Sequence, residues 1–211
     1  MQRENSLKIK KTIQKKVIET EKSFLSLLQF PDLELLEKCV DDVIKGDSLE
    51  KRPPITVFGK KTHQPRNVGF FSDEVKSYKY SNRAHASIPM TSNLREMLST
   101  VNSIYESDYN GILVNEYLDG KDKIGAHSDS EIELIKEIGV VALSWGASRK
   151  FRIRSKKGKG ILKDVVTKSG ELMQMGGEFQ KEFTHEIPEE LTVKEKRISF
   201  TFRKHTNFLE K

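Results

Sequence analysis

The strongest constraint on the fold of this chain is the series of short, alternating apolar and polar segments that fills its C-terminal half, several of them closed by a glycine-bearing turn. In ILVNEYL (112–118) and RISFTFR (197–203), neighbouring side chains differ in character, and an extended backbone sends successive side chains to opposite faces. The turn signals LDGKD, SKKGKG and GGEF separate such segments. This pattern predicts an antiparallel β-sandwich or barrel with helices packed outside, an α+β but mainly β chain. A double-stranded β-helix, or jelly roll, is the form that brings residues from distant strands into one mouth.

Helical spacing occurs in three places. Residues 6–28 carry apolar residues at roughly helical intervals between lysines, LELLEKCVDDVI follows the start signals Pro31 and Asp32, and SNLREMLSTVNSIYES begins near Ser92. The expected organisation is a basic helical extension over residues 1–50 and one compact domain over 51–211. A chain of 211 residues with 36% hydrophobic content buries one core comfortably but not two. No apolar run approaches the roughly 18 to 20 residues that span a bilayer, and MQRENSLKIKKTIQKK lacks the apolar stretch of a signal peptide. The expectation is therefore an intracellular monomer without a membrane partner. KIKKTIQKK reads either as a nuclear-targeting run, in a eukaryotic source, or as a solvated helix face. The single cysteine, Cys39, excludes an internal disulfide and any multi-thiolate zinc site, and its place in LELLEKCV predicts a packing role.

Thirty-seven basic residues stand against 31 acidic ones, a net charge of +6, and the excess is uneven. Arg149, Lys150, Arg152, Arg154, Lys156, Lys157, Lys159 and Lys163 follow one another without an intervening acidic residue. Such a run suits either a phosphate-binding surface or a solubilising hairpin.

The residues with chemistry to offer are spread over the same half. His127 and Asp129, two apart, face the same way on an extended segment, and His185 lies in FTHEIP. Two histidines and one carboxylate hold one face of a non-haem iron(II) and leave positions open for a chelating co-substrate and dioxygen. Parity puts Leu113, Asn115 and Tyr117 on one side of ILVNEYL. In RISFTFR it puts Arg197, Ser199, Thr201 and Arg203 opposite Ile198, Phe200 and Phe202. That polar face looks either to solvent or to a buried anion, since uncompensated burial of two arginines is costly.

NEYLDGKDKIGAHSDSE, ALSWGASRKFRI, GELMQMGGEFQKEFTHEIP and RISFTFRK together resemble the catalytic core of the AlkB family of iron(II)- and 2-oxoglutarate-dependent nucleic-acid dealkylases. ITVFGK (55–60), PRNVGFFSD (65–73) and SYKYSN (77–82) are similar to the lesion-probing and base-pocket segments of its AlkB homologue 2 branch, which prefers double-stranded DNA. The resemblance covers roughly residues 55–205, with a nucleotide-recognition segment at about 55–90.

The resemblance implies iron(II) ligation by His127, Asp129 and His185, which makes them the catalytic set. It implies 2-oxoglutarate contacts from Asn115, Tyr117, Arg197, Thr201 and Arg203, with dioxygen as the oxidant. It assigns Phe58, followed by Gly59 and Lys60, to a hairpin that inserts an aromatic wedge where a base is extruded. Tyr78, Lys79 and Tyr80 become the wall that stacks on the flipped base, and Arg66 a contact near the lesion and its phosphates. The implied reaction is oxidative demethylation of bases such as 1-methyladenine and 3-methylcytosine in alkylated DNA, releasing formaldehyde, succinate and carbon dioxide. RNA, single-stranded DNA or a protein side chain are alternative substrates of the same chemistry, and a non-catalytic nucleic-acid-binding module is a third reading. Two departures bear on specificity. Ser130 stands where the branch has an acidic residue, with Glu131 keeping the next acidic position, and PEELTVKEK replaces a basic loop with Glu189 and Glu190, which would repel phosphates.

Overall fold

The described part of the chain begins as a hairpin. Strands β1 (Lys15–Glu19) and β2 (Ser23–Gln29) pair antiparallel, which corrects the helical reading of residues 6–28 over its described part. The computed structural model describes residues 14–57, 59–80, 83–129, 139–158 and 160–206. Leu25 belongs to the core between two sheets, whereas Leu28 packs against a helical layer. With apolar side chains needed on both faces, SFLSLLQ loses period-two alternation and imitates a helix. The reversal uses no glycine or proline: Thr20 Oγ1 accepts from the backbone N–H groups of Lys22 and Ser23.

Both other helices follow the expected pattern. Helix α1 (Leu33–Lys45) starts at Asp32, whose side chain accepts from Leu35 N at 2.8 Å, and it buries Leu35, Leu36, Cys39, Val40 and Val43. A hairpin of β3 (Pro54–Val57) and β4 (Lys60–His63) follows, then β5 (Asn67–Phe71) and a second hairpin of β6 (Ser77–Tyr80) and β7 (Arg83–Ala86). Helix α2 (Ser92–Tyr105) is capped by Thr91, which accepts from Leu94 N.

The remaining elements are β8 (Gly111–Tyr117), β9 (Ile124–His127), β10 (Val140–Gly146), β11 (Arg149–Ser155), β12 (Lys163–Thr167), β13 (Glu171–Gly177), the one-turn α3 (Phe179–Glu182), β14 (Phe183–Ile187) and β15 (Arg197–Arg203). They complete a seven-stranded sheet ordered β1-β2-β13-β10-β15-β8-β5 and a four-stranded sheet ordered β12-β11-β14-β9, antiparallel throughout. This is the double-layered architecture of a jelly roll.

Two cores sit on either side of the larger sheet. Leu36, Val40, Leu94 and Met97 from the helices pack with Ile112, Val114, Ile198, Phe200 and Phe202. Between the sheets, Tyr117, Phe151, Ile153, Met173, Met175 and Ile187 form the second core. Strands β8 and β15 therefore bury every residue. Their even-numbered side chains meet the helices, and their odd-numbered ones face the space between the sheets. Among the described residues, no helix is long and apolar enough to cross a membrane.

Candidate iron and 2-oxoglutarate site

Antiparallel pairing of β9 with β14 sets His127 directly opposite His185, and their rings lie 4.4 Å apart. Asp129 follows just past the end of β9, on the same side as His127. His127 Nε2 is 3.9 Å from Asp129 Oδ1, and His185 Nε2 is 3.8 Å from Asp129 Oδ2. One ligand atom from each residue lies within 4.8 Å of the other two. Ligands held at about 2.1 Å from one ion are spaced roughly 3 Å apart, so a contraction of at most about 2 Å per pair closes the set on a metal.

The surroundings prepare these groups for ligation. His127 Nδ1 lies 2.9 Å from the carbonyl of Gly125; donation of its proton there leaves Nε2 with its lone pair toward the other ligands. Burial is the main influence that holds the His127 pKa below its ordinary value, with Arg66 and Arg203 acting in the same direction against Asp129, so the ring is neutral at pH 7. His185 stacks on Phe151, centroids 5.0 Å apart and planes at 17°. Arg203 Nη2 donates to Asp129 Oδ1 at 2.5 Å, both groups buried.

An anion receptor shares the pocket. Arg197 is 3% exposed, donates from Nη2 to Ser144 Oγ at 2.9 Å and lies over the ring of Tyr117 at 5.3 Å. Its Nε and Nη1 have no hydrogen-bond partner among the described residues. Desolvation pushes its pKa down. A guanidinium held in this way, with donors aimed into a pocket and no carboxylate on them, is built for a ligand carboxylate. Asn115, Tyr117, Ser199, Thr201 and Arg203 line the same pocket as His127, Asp129 and His185. Arg66, Arg197 and Arg203 set three positive charges there against the one carboxylate of Asp129, a balance suited to a dianionic co-substrate. The donor set thus fits iron(II), and the pocket fits 2-oxoglutarate.

Residues 34–203 match the family model of the 2OG-Fe(II) oxygenase superfamily. The chain belongs to that superfamily. It is an AlkB-type oxygenase, 30% identical over 157 residues to the human protein named DNA oxidative demethylase ALKBH2, a match covering 71% of this chain and 60% of that one. The mouse protein of the same name is 31% identical over 157 residues, covering 71% of this chain and 66% of its own length. The rat alpha-ketoglutarate-dependent dioxygenase alkB homolog 3 is 33% identical over 103 residues, covering 45% and 35%. The chain thus spans between about half and two thirds of the length of its ALKBH2 relatives. The solved structure of OsALKBH1 superposes with a TM-score of 0.56 over 90% of this chain and all of that one, at 15% identity, a likeness of fold.

The outer parts of this oxygenase depart from expectation in several ways. Arg66 is 4% exposed and donates from Nε to Asn115 Oδ1 at 2.7 Å. It forms part of the pocket wall and fixes the amide of Asn115. The basic run is partly paired within the molecule. Arg149, 1% exposed, donates to the carbonyls of Asp119, Asp122 and Pro188 and pairs with Glu190. Arg152 pairs with Asp164 and Arg154 with Glu186. Lys156 and Lys163 reach the carbonyls of Gln180 and Val17, and Lys159 lies outside the described residues. The carboxylates come from other segments and from the far side of the hairpin, so part of the charge is matched, while Lys150, Lys156, Lys157 and Lys163 stay exposed. Glu190 is likewise spent on Arg149 and Lys150, and Glu189 on Lys123.

For the expected base-recognition residues, the backbone is what is described. Hairpin β3–β4 brings Gly59 to its turn at φ 77°, a value glycine adopts without strain, next to exposed Lys60. Tyr78, Lys79 and Tyr80 lie along β6. Phe58, Ser130 and Glu131 lie outside the described residues. Sequence reasoning missed one pocket group and one group that supports it from outside. Ser144 was within reach of the same parity argument, because Ala142 and Ser144 of β10 line the pocket while Val141 and Leu143 enter the helical core. Gln180, whose Oε1 accepts from Asp129 N at 2.9 Å, sends no signal in the sequence.

Proposed function

We propose that this chain is an iron(II)- and 2-oxoglutarate-dependent dioxygenase that oxidatively demethylates N-alkylated bases such as 1-methyladenine and 3-methylcytosine in DNA. The observation that carries this reading is Arg197, a buried guanidinium with two unpartnered donors, in the same pocket as the His127, Asp129 and His185 triad. The relatives named DNA oxidative demethylase support the choice of substrate.

When bound, iron(II) with 2-oxoglutarate and dioxygen supplies the oxidising power that hydroxylates an N-alkyl group, the co-substrate leaving as succinate and carbon dioxide. The chain's own residues bind, orient and exclude water. Arg197 takes the remote carboxylate of the co-substrate, with Tyr117 packed against its guanidinium. Asn115, held by Arg66, offers its amide. Arg203 keeps the Asp129 carboxylate charged and in place. Leu113, Ile124, Met173 and Ile187 give the pocket apolar walls. Tyr78 and Tyr80 stack on a cationic alkylated base, and Phe58 fills the gap left by its extrusion. The hydroxymethyl product then loses formaldehyde as the N–C bond breaks and the base nitrogen recovers its electron pair.

A second reading keeps the chemistry and makes single-stranded DNA or RNA the substrate. It is favoured by the internal pairing of Arg149, Arg152 and Arg154, which reduces the charge that hairpin offers a complementary strand. The test is formaldehyde release from methylated duplex, single-stranded and RNA oligonucleotides with iron(II), 2-oxoglutarate and ascorbate. Wild-type release on duplex DNA, abolished in His127→Ala and selectively reduced in Phe58→Ala, is the expected result. Release from no nucleic acid overturns the proposal, and equal duplex activity in Phe58→Ala removes the wedge.

A further inference from the structure

The metal-binding residues expected from sequence sit on β9 and β14, but Asp129 lies beyond the end of β9, where no ladder partner fixes it. What holds it comes from α3, the one-turn helix inserted between β13 and β14. Gln180, 7% exposed, accepts the backbone N–H of Asp129 on its Oε1 at 2.9 Å, and its amide nitrogen donates to Met175 Sδ at 3.5 Å. One residue earlier, Ser128 Oγ donates to the carbonyl of Phe183, the first residue of β14, at 3.1 Å. The helix is itself pinned: Lys156 Nζ donates to the carbonyl of Gln180 and Lys156 N to that of Glu182. His185 follows α3 by three residues, so the same turn sets the start of the strand that delivers the third ligand.

We infer that α3 is a clamp on the metal site and that Gln180 is its positioning residue, fixing the Asp129 carboxylate by holding its backbone rather than touching the metal. Without that hydrogen bond, the buried N–H of Asp129 must find another acceptor, and the peptide turns with it. The carboxylate then leaves the orientation that Arg203 and the two histidines share. Partners that orient metal ligands from outside typically change metal affinity by about 10- to 100-fold when removed. The inference rests on the metal-site part of the proposed function and not on the substrate.

The test is therefore made on metal binding alone. Manganese(II) is titrated into the metal-free full chain, and the EPR signal of the unbound ion gives the affinity. Gln180→Met, which keeps length and apolar bulk but removes the acceptor, is expected to bind about 10-fold more weakly or worse. Gln180→Glu, which restores an acceptor oxygen, is expected to stay within about threefold of wild type. Ser128→Ala severs the second tether and is expected to weaken binding several-fold; it also serves if Gln180→Met does not fold. Wild-type affinity in Gln180→Met and Ser128→Ala overturns the clamp, as does equal weakening in Gln180→Glu and Gln180→Met. A wild-type chain that binds manganese but releases no formaldehyde from any oligonucleotide overturns the substrate reading and leaves this comparison intact.

Discussion

Replacing Arg197 by methionine should make the ligand-free protein more stable while destroying its hold on 2-oxoglutarate. The buried guanidinium gains one hydrogen bond from Ser144 and the face of Tyr117, about 1 and up to about 2 kcal/mol respectively. Against these stand two donors, Nε and Nη1, without partners among the described residues, each costing about 1 to 3 kcal/mol. The desolvated charge adds a further penalty of several kcal/mol. The donors alone give about 2 to 6 kcal/mol against a gain of about 3, so relief prevails over most of the range once the charge is counted. An increase of even 1 kcal/mol raises the melting temperature of a chain this size by about 2 to 4 °C. With the co-substrate present, the sign reverses. Losing one partner of a buried charge pair costs about 2 to 5 kcal/mol, which weakens 2-oxoglutarate binding roughly 30-fold or more. At a concentration that stabilises wild type by about 2.7 kcal/mol, a 30-fold weaker variant gains only about 0.9 kcal/mol. Thermal unfolding followed by circular dichroism, with manganese(II) present and 2-oxoglutarate absent or added, measures both effects. A variant that melts lower without co-substrate, or that keeps the full wild-type shift with it, refutes the role of Arg197 as an anion receptor.

Three further outcomes follow from other parts of the structure. Asp32→Ala removes the cap from the Leu35 N–H and is expected to cost about 1 kcal/mol, a fall in melting temperature of about 2 to 4 °C. In alkali, burial holds the Cys39 thiol up at about 12 from an ordinary 9.0, and the Tyr109 hydroxyl at about 12 from 10.0. Both groups ionise first in the unfolded chain, so stability is complete below pH 9 and declines as pH rises from there toward 12, measurable by urea unfolding across that window. Finally, Lys60→Ala on the β3–β4 hairpin should reduce the salt dependence of DNA binding by about one unit of log–log slope. Arg152→Ala, whose charge is already matched by Asp164, should leave that slope unchanged in a fluorescence-anisotropy titration.

Strand parity made half of the site legible. In β8 and β15, one face must be apolar to meet the helices, so the polar residues Asn115, Tyr117, Arg197, Thr201 and Arg203 could only point the other way. The helix start at Asp32 was legible because capping is local chemistry. Residues 15–29 misled because β2 is covered on both faces, and a strand buried twice loses the alternation by which strands are read. How much of the basic run from 149 to 163 stays unmatched was hidden for a different reason. Its matching carboxylates, Asp164, Glu186 and Glu190, lie on the far side of the hairpin or on other segments, and sequence counts charges without pairing them.

Arg149 and Arg197 show most clearly what only the fold decides. Both are arginines at a strand start, both are almost wholly buried, and both lie against the ring of Tyr117, at 5.8 and 5.3 Å. Arg149 has three carbonyls and the Glu190 carboxylate on its donors, so it is saturated, and its function is to tie the loop after β8 to the loop after β14. Arg197 has one hydroxyl and two donors without partners among the described residues. The difference between a structural tie and a ligand site is thus not residue type, burial or position on a strand, but whether the surrounding backbone supplies acceptors. Around Arg197 the described backbone supplies none, and β15 is flanked there by β8 and β10, whose carbonyls are engaged in the ladders of the sheet. A guanidinium above a complete ladder is left open to an anion that the ladder does not provide.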